Sequence, residues 1–345
     1  MSTVFIYAGI DEAGYGPMFG PLIIARTVFS VERVEPGKQP PSLWQLLEPA
    51  VCRRISEDKN RIAVNDSKII YTPGKGLFHL ERGVLAFLSF ADFPFLDFSE
   101  KRGINRIPEL DNLLAYLALD EDSAAGNLAW YHDPAANKPA DAPEVPFTVP
   151  LSELLKAREK LQGAALHAGV RLKDVKTAVV FEDRFNRLVT AADSKAACAW
   201  YFISRHISEI WESAAPYDSY VAVDRQGGRK NYSDYLSKLF PGADVKTLDE
   251  TAGSSLYRIE KDGRGLTLSF MVRSEQEHLP TALASMAAKY IRELLMVRFQ
   301  NFWKFYAPQV KPTAGYIRDG RRFLNQIEPV IAKLKIDRNS LIRTR

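Results

Sequence analysis

The chain has 345 residues, 46% of them hydrophobic, and 46 Lys and Arg against 42 Asp and Glu give a formal charge of +4. That length buries a substantial core, as one large domain or two ordinary ones, and the mild basic excess permits nucleic-acid binding without requiring it. Two cysteines, Cys52 and Cys198, exclude a disulfide framework and a cysteine-based zinc motif and read as reduced buried thiols. No apolar run is long enough to span a membrane, and Asp11 and Glu12 interrupt the first one, which has no basic segment before it. The expectation is a cytoplasmic protein without a signal peptide.

The chain opens on Val4, Phe5, Ile6 and Ile10 around small Ala8 and Gly9, a pattern that suits a buried strand. Asp11 and Glu12 follow at once, and then Gly14 and Gly16, which a strand interior tolerates poorly. Two adjacent acids at the end of a buried strand need a cation, a proton or solvent, and a divalent ion with a preference for hard oxygen ligands answers that need. A Gly-x-Gly turn also brings backbone N–H groups close to a phosphate or sugar. Neighbouring strand side chains point to opposite faces, so both acids serve one site only if the strand ends or twists there.

A second apolar strand follows through Val28, Phe29 and Val31, and Leu43–Arg54 is expected to form an amphipathic helix. In residues 71–150, Phe78, Phe87, Phe90, Phe93, Phe95 and Phe98 precede a connector carrying Pro134, Pro139, Pro143, Pro146 and Pro150. This block reads as an inserted subdomain with a phenylalanine core and an exposed connector. Beyond it come a helix over Leu151–Ala168, a buried strand over 177–181, a helix over 193–213 and a strand over 220–224 that ends in Asp224. A long helix follows Pro280, with Leu283, Met286, Tyr290, Leu294 and Val297 at periods of three and four. Alternating strands and helices indicate an α/β architecture.

Asp11-Glu12-Ala13-Gly14-Tyr15-Gly16-Pro17 resembles the opening motif Asp-Glu-Ala-Gly-Arg-Gly-Pro of the ribonuclease HII family of type 2 ribonucleases H. The likeness continues through Phe19-Gly20-Pro21, Asp66-Ser67-Lys68 and the stretch from Ala284 to Glu293, in the same order along the chain. It implies a ribonuclease H-like fold, a central mixed sheet flanked by helices, with an inserted subdomain and a helical C-terminal part. The core would comprise residues 1–70 and 151–310, the insertion 71–150 and a basic C-terminal segment 311–345. The implied activity is two-metal-ion endonucleolytic hydrolysis, with Mg²⁺ or Mn²⁺, of the RNA strand of RNA–DNA hybrids or of ribonucleotides embedded in duplex DNA. A nuclease acting on DNA junctions or another structured nucleic acid, and a non-catalytic hybrid-binding protein, are the alternatives. The protein is expected to be a monomer.

By resemblance, Asp11, Glu12 and Asp224 match three of the family's four metal-binding acids, and Glu275 matches the fourth by its spacing from Ser285, with Glu277 as competitor. Gly14, Tyr15, Gly16, Lys68, Arg225 and Tyr316 are the expected substrate contacts. Carboxylates suit such chemistry because two ions roughly 3.5–4 Å apart can activate water on one side of a phosphorus and stabilise the leaving oxygen on the other. Glu293 is excluded, since at 1.5 Å per residue it would lie about 20 Å along a continuous helix from the first turn. Asp66 and Ser67 also read as a helix N-cap, and His278 as a surface or helix-start histidine. Tyr15 stands where the family has arginine and lacks its charge. Basic residues beside Asp224 (Arg225, Arg229, Lys230) and towards the C-terminus (Arg318, Arg321, Arg322, Lys333, Lys335, Arg338, Arg343 and Arg345) could track phosphates or form a solvated face.

Overall fold

Apolar alternation from Val4 onward builds the strand at the centre of the molecule. The structure, a computed structural model, describes residues 4–32, 34, 39–71, 74, 76–91, 110–123, 125–126, 128–132, 145–225 and 228–344. In chain order the elements are β1 (Val4–Ala13), β2 (Leu22–Glu32), α1 (Leu43–Leu46), β3 (Val51–Cys52), β4 (Ile62–Ala63), α2 (Ser67–Ile70), α3 (Phe78–Phe90) and α4 (Leu110–Leu117). Then come α5 (Leu151–Ala168), β5 (Val170–Val180), α6 (Glu182–Ala192), α7 (Lys195–Ala214), β6 (Asp218–Asp224) and α8 (Ser233–Leu239). β7 (Asp244–Glu250), β8 (Ser254–Lys261), β9 (Arg264–Met271), α9 (Leu279–Tyr306), α10 (Ile317–Leu334) and α11 (Arg338–Leu341) complete the chain.

Seven strands form one mixed sheet in the order β5-β2-β1-β6-β9-β8-β7. β1, β6 and β9 run parallel to one another, and the outer pairs are antiparallel. Phe5 and Tyr7 of β1 face one core with α3, α5, α9 and α10, while Ile6, Ala8 and Ile10 face another with α6, α7 and α8. The protein is therefore an α/β structure with helices on both faces of a mixed sheet and helices at its C-terminal end, as the sequence led one to expect. No described helix is long and apolar enough to cross a membrane.

Three local expectations change. Only Leu43–Leu46 of the anticipated helix over Leu43–Arg54 is helical, and Val51–Cys52 pair instead with Ile62–Ala63. Pro49 supplies the reason, because it has no N–H to donate and its ring clashes with the preceding helical turn. The described part of 71–150 does not carry a core of its own. Leu80, Phe87, Leu113, Tyr131 and Val149 are buried in the same cluster as Phe5 and α9, while Phe93, Phe95, Phe98, Pro134, Pro139 and Pro143 lie outside the described residues. Buried Glu81 of α3 ties this segment in place: it accepts from the backbone of Phe147 at 2.6 Å, Thr148 at 2.5 Å and Val149 at 2.9 Å, and from the Tyr290 hydroxyl of α9 at 2.7 Å. The helix boundary near 193 also shifts, since Ser194 caps α7 by accepting from Ala197 N while Asp193 closes α6 in the left-handed region.

The first turn of α9 crosses the middle of β1 at Gly9. A Cβ on Gly9 would stand 2.1 Å from Thr281 N and 2.2 Å from the Pro280 carbonyl carbon. Thr27 Oγ1 donates to Pro280 O at 2.8 Å and Thr281 Oγ1 to Ala222 O at 3.2 Å, so β2 and β6 grip the same turn. Gly9→Ala is expected to cost about 3 kcal/mol or more, the upper end of overpacking, because backbone rather than a flexible side chain must move. Gly16→Ala, with nothing within 4 Å of the added carbon, should leave stability within about 0.5 kcal/mol. Denaturant titration of both variants checks the contrast, and equal losses would refute it.

Candidate metal centre and nucleic-acid groove

The acids gather where the parallel strands end. Asp11 and Glu12 stand one and two residues beyond Ile10, the last β1 residue paired with β6, and Asp224 closes β6. Glu275 lies in a short turn just after β9. The carboxyl-terminal ends of adjacent parallel strands form the natural crevice of such sheets. Asp11 and Asp224 belong to the face that carries Phe5, Tyr7 and Tyr220, whereas Glu12 follows Ile6, Ala8 and Ile10 on the other. Because the β1–β6 ladder has stopped, Glu12 meets the others around the strand end, and ligand oxygens of Asp11, Glu12 and Asp224 all lie within 4.8 Å of one another.

Each neighbour fixes one of these groups. Asp11 Oδ1 accepts from Glu12 N at 2.7 Å, and the Ser285 hydroxyl, which donates to Ser67 Oγ at 3.1 Å, stands near enough to offset part of the rise in the Asp11 pKa. Ser285 is four residues beyond Thr281, so the turn that Gly9 admits is followed by the turn that brings this hydroxyl near Asp11. Ser274 N donates to Asp224 Oδ1 at 3.2 Å, which brings Glu275, the next residue, beside the same acid. Burial pushes Asp11 well up, with Glu12 and Asp224 adding to the rise. Asp224 is pushed up to about 6 by burial and then by Glu12, and Glu275 to about 7 chiefly by burial. Burial alone would lower Lys68, yet Asp66, Asp11, Glu275 and Asp224 together raise its pKa, which places an ammonium at the rim of the cluster.

Three acids crowded out of water and repelling one another are the donor set a hard divalent cation requires. Asp11, Glu12 and Asp224 could hold such an ion, and Glu275 stands beside Asp224 but outside this group of three. Glu277 is exposed and lines a different depression with Tyr7, Tyr220 and His278. His278 is buried rather than on the surface; it occupies the cap position of α9 and bonds the Tyr7 hydroxyl through Nδ1 at 2.7 Å. Glu293 is engaged with Lys289 and with the Tyr71 hydroxyl.

The glycine loop between β1 and β2 is held from behind. Gly14 and Gly20 have φ of +86° and +84°. Arg292 of α9, fully buried, donates to Pro21 O at 2.5 Å and Phe19 O at 2.9 Å. Arg343 donates to Gly14 O at 2.5 Å and to Pro17 O, and Met18 N donates to Gly315 O at 2.8 Å. The loop and the Gly315-Tyr316 element are therefore one unit, although far apart in sequence. Tyr316, 59% exposed, lines with Lys68, Tyr71, Lys289, Asn301 and Thr313 a groove of about 610 Å³, and Lys68 is the residue this groove shares with the rim of the acids. Tyr15 is half-buried against the α7 side of the sheet, and Gly16 is open to solvent.

One expected substrate contact, Arg225, and two further candidate phosphate contacts are placed elsewhere. Arg225 is buried and donates to Ala252 O at 2.7 Å and Ser255 Oγ at 3.0 Å, so it braces the β7–β8 connection instead of facing the acids. Arg343 is buried behind the loop, and Arg322 is occupied by Asp319 and the carbonyls of Lys311 and Pro312. Arg318, Arg321, Lys333 and Lys335 are exposed, and Arg345 lies outside the described residues. Asp66 does cap α2, accepting from Lys68 N at 3.0 Å. Two contributors went unrecognised in sequence: Ser285, present only as part of a helix motif, and Lys289, hidden in the same run.

No family model matches the chain, and no curated protein matches it in sequence. Among solved structures, it is similar to RNase HII in the PCNA:RNase HII complex from Archaeoglobus fulgidus, with 15% identity over 99% of this chain and 94% of that chain and a TM-score of 0.38. Ribonuclease H2 from Pyrococcus horikoshii OT3 shows 12% identity over 97% of this chain and 92% of that chain, with a TM-score of 0.38. Bst-RNase HIII in complex with Mn²⁺ shows 13% identity over 93% and 62% of the two chains, with a TM-score of 0.37. These likenesses are distant, and the chemistry that follows rests on the residues of the site.

A raised carboxyl pKa favours the protonated folded state. Its contribution is present below the unfolded value of about 4 and is lost as pH rises through the folded value. Without metal, melting temperature should fall as pH rises from about 4 towards 8, through the values near 6 and 7 of Asp224 and Glu275. Glu182, buried away from the acids behind the glycine loop, is pushed up to about 7 mainly by burial and adds a slope of its own. The diagnostic is thus the difference between wild type and Asp224→Asn, which should be more stable than wild type at pH 8 without metal. Millimolar Mg²⁺ or Mn²⁺ should raise the wild-type melting temperature and leave Asp224→Asn nearly unchanged. A wild type indifferent to both pH and metal would remove the case for a metal centre.

Proposed function

We propose that this protein is a metal-dependent endonuclease that hydrolyses the RNA strand of RNA–DNA hybrids or ribonucleotides embedded in duplex DNA. The observation that carries the reading is the meeting of Asp11, Glu12 and Asp224 within 4.8 Å, at the strand ends beside the glycine loop and the groove of Lys68 and Tyr316. Two bound divalent ions, Mg²⁺ or Mn²⁺, would supply an activated water and charge stabilisation for the leaving 3′-oxygen.

Asp11, Glu12, Asp224 and Glu275 would hold the ions, and the bonds from Glu12 N to Asp11 and from Ser274 N to Asp224 keep these two carboxylates aimed before any ligand arrives. Lys68 sits at the rim, where its ammonium can meet a phosphate without leaving the acids. Gly16, with no side chain and open surroundings, lets a sugar–phosphate backbone approach the main chain, while the buried arginines fix the turn that presents it. Tyr316 offers a phenolic hydroxyl on the groove wall, suited to a ribose 2′-hydroxyl.

Purified protein with Mg²⁺ or Mn²⁺ should cut a uniform RNA–DNA hybrid and leave all-DNA duplex intact. Asp11→Asn and Asp224→Asn should each reduce cleavage by at least about 100-fold while remaining folded. Glu275→Gln should lower it strongly and Glu277→Gln hardly at all. Because Tyr15 brings no charge, a single ribonucleotide in DNA should be cut less efficiently than continuous hybrid, and Tyr15→Arg should shift the ratio towards the single ribonucleotide. Cleavage of branched DNA but not hybrid would favour the structured-DNA reading, and binding without cleavage the non-catalytic one.

A further inference from the structure

On the face of the sheet opposite Lys68, beside Glu12 and Tyr15, a guanidinium rests in a cage of aromatic rings. Arg229 Cζ lies 4.1 Å from the ring centre of Tyr235, 5.7 Å from Tyr232 and 5.8 Å from Trp200. The cage is itself rigid: Tyr232 stacks on Phe270 at 3.7 Å, nearly coplanar, and Trp200 packs edge-on against Tyr235 at 5.2 Å. Arg229 is only half-buried and lines one small depression together with Asp224, Trp200 and Tyr232. It forms no ion pair with a carboxylate among the described residues. Its charge nevertheless reaches the Tyr15 hydroxyl, whose pKa burial raises first, Glu12 next, and Arg229 pulls down.

Aromatic faces hold a guanidinium without consuming its N–H donors, which point outward in the plane of the group. A cation held in this way is oriented but unspent, and its fork of donors matches a phosphate. Arg225, four residues earlier, shows the contrast, with its donors committed to Ala252, Thr251 and Ser255. A strand that crosses the acids from the Lys68 groove must leave over the Glu12 side, where Tyr15 and Tyr235 present rings and Arg229 presents charge.

We propose that Arg229 binds a backbone phosphate of the nucleic-acid strand on the Glu12 side of the acids, with Tyr15 and Tyr235 flanking that nucleotide. This rests on the nuclease reading above. Arg229 is then the second of two cations, Lys68 being the first, that bracket the acids along the strand.

The test uses the full chain, a fluorescent RNA–DNA hybrid, anisotropy across a salt series, and steady-state cleavage. Arg229→Gln should weaken binding roughly 10- to 100-fold at low salt and reduce the slope of log affinity against log salt by about 0.7–0.9. KM should rise with kcat little changed. Arg229→Lys, which keeps the charge but not the planar fork, should keep the salt slope while losing part of the affinity. Adding Tyr15→Arg to Arg229→Gln should restore the slope. If Arg229→Gln melts like wild type and binds and cuts equally well, the role of Arg229 is overturned while the nuclease reading stands. If wild type binds hybrid without cutting it, the nuclease reading fails and the binding role is still decided by the slopes. Should Arg229→Gln unfold, the lysine variant decides: a slope reduced as far as that expected for glutamine would overturn the proposal, and a wild-type slope would support it.

Discussion

The first turn of α9 lies against strand β1 only because residue 9 has no side chain. Thr281 N stands 2.1 Å from where a Cβ would be, and from this contact the rest of the site follows. With the turn seated, Thr281 reaches the backbone of β6, Ser285 reaches Ser67 near Asp11 one turn later, and Arg292 arrives two turns further on beneath the glycine loop. One helix thus sets the acids, the hydroxyl beside them and the loop, and it does so rigidly because small residues such as Ala282, Ala284, Ala287 and Ala288 let it pack close to the sheet.

The loop between β1 and β2 shows how the ends of the chain are used. Its carbonyls at Gly14, Pro17, Met18, Phe19 and Pro21 are turned inward, where backbone acceptors without partners would be costly. Arg292 and Arg343 satisfy them, and Gly315 accepts from Met18. Glu182 lies in the same interior, accepting from Gly20 N at 2.8 Å and from the Tyr131 hydroxyl at 2.7 Å. Burial depresses the Arg343 pKa to about 9, with Arg292 adding to the fall, so this buried charge supports the loop at a desolvation cost. Such a scaffold makes the outward edge of the loop a fixed surface.

The acids present the opposite case. Their surroundings raise the pKa values of Asp11, Asp224 and Glu275 and hold Asp11 and Asp224 by backbone N–H groups, and the nearby cations sit at the margins: Lys68 on one face of the sheet, Arg229 on the other. Neutralising the acids internally would stabilise the fold but remove the attraction for an external cation. The arrangement keeps that attraction, as functional carboxylate clusters do when fold stability is given up for ligand affinity.

The sequence by itself determined a good deal. Residues 4–10 announce a buried central strand, the run after Pro280 a long helix, and Asp11, Glu12 and Asp224 stand at strand ends, because periodicity and strand-end placement are local properties. The stop at Pro49 was equally local, although helical spacing over Leu43–Arg54 concealed it. Only the tertiary structure decided between Glu275 and Glu277 as the acid beside Asp224, since two residues in one turn differ merely in which way that turn docks. It also decided the fate of each arginine. Arg225, Arg229, Arg292 and Arg343 carry the same charge and look alike in a string of letters, yet one braces a strand connection, one rests on aromatic rings and two bind a buried loop. A cation's partners are set by elements that lie far away in sequence, and no local pattern encodes them.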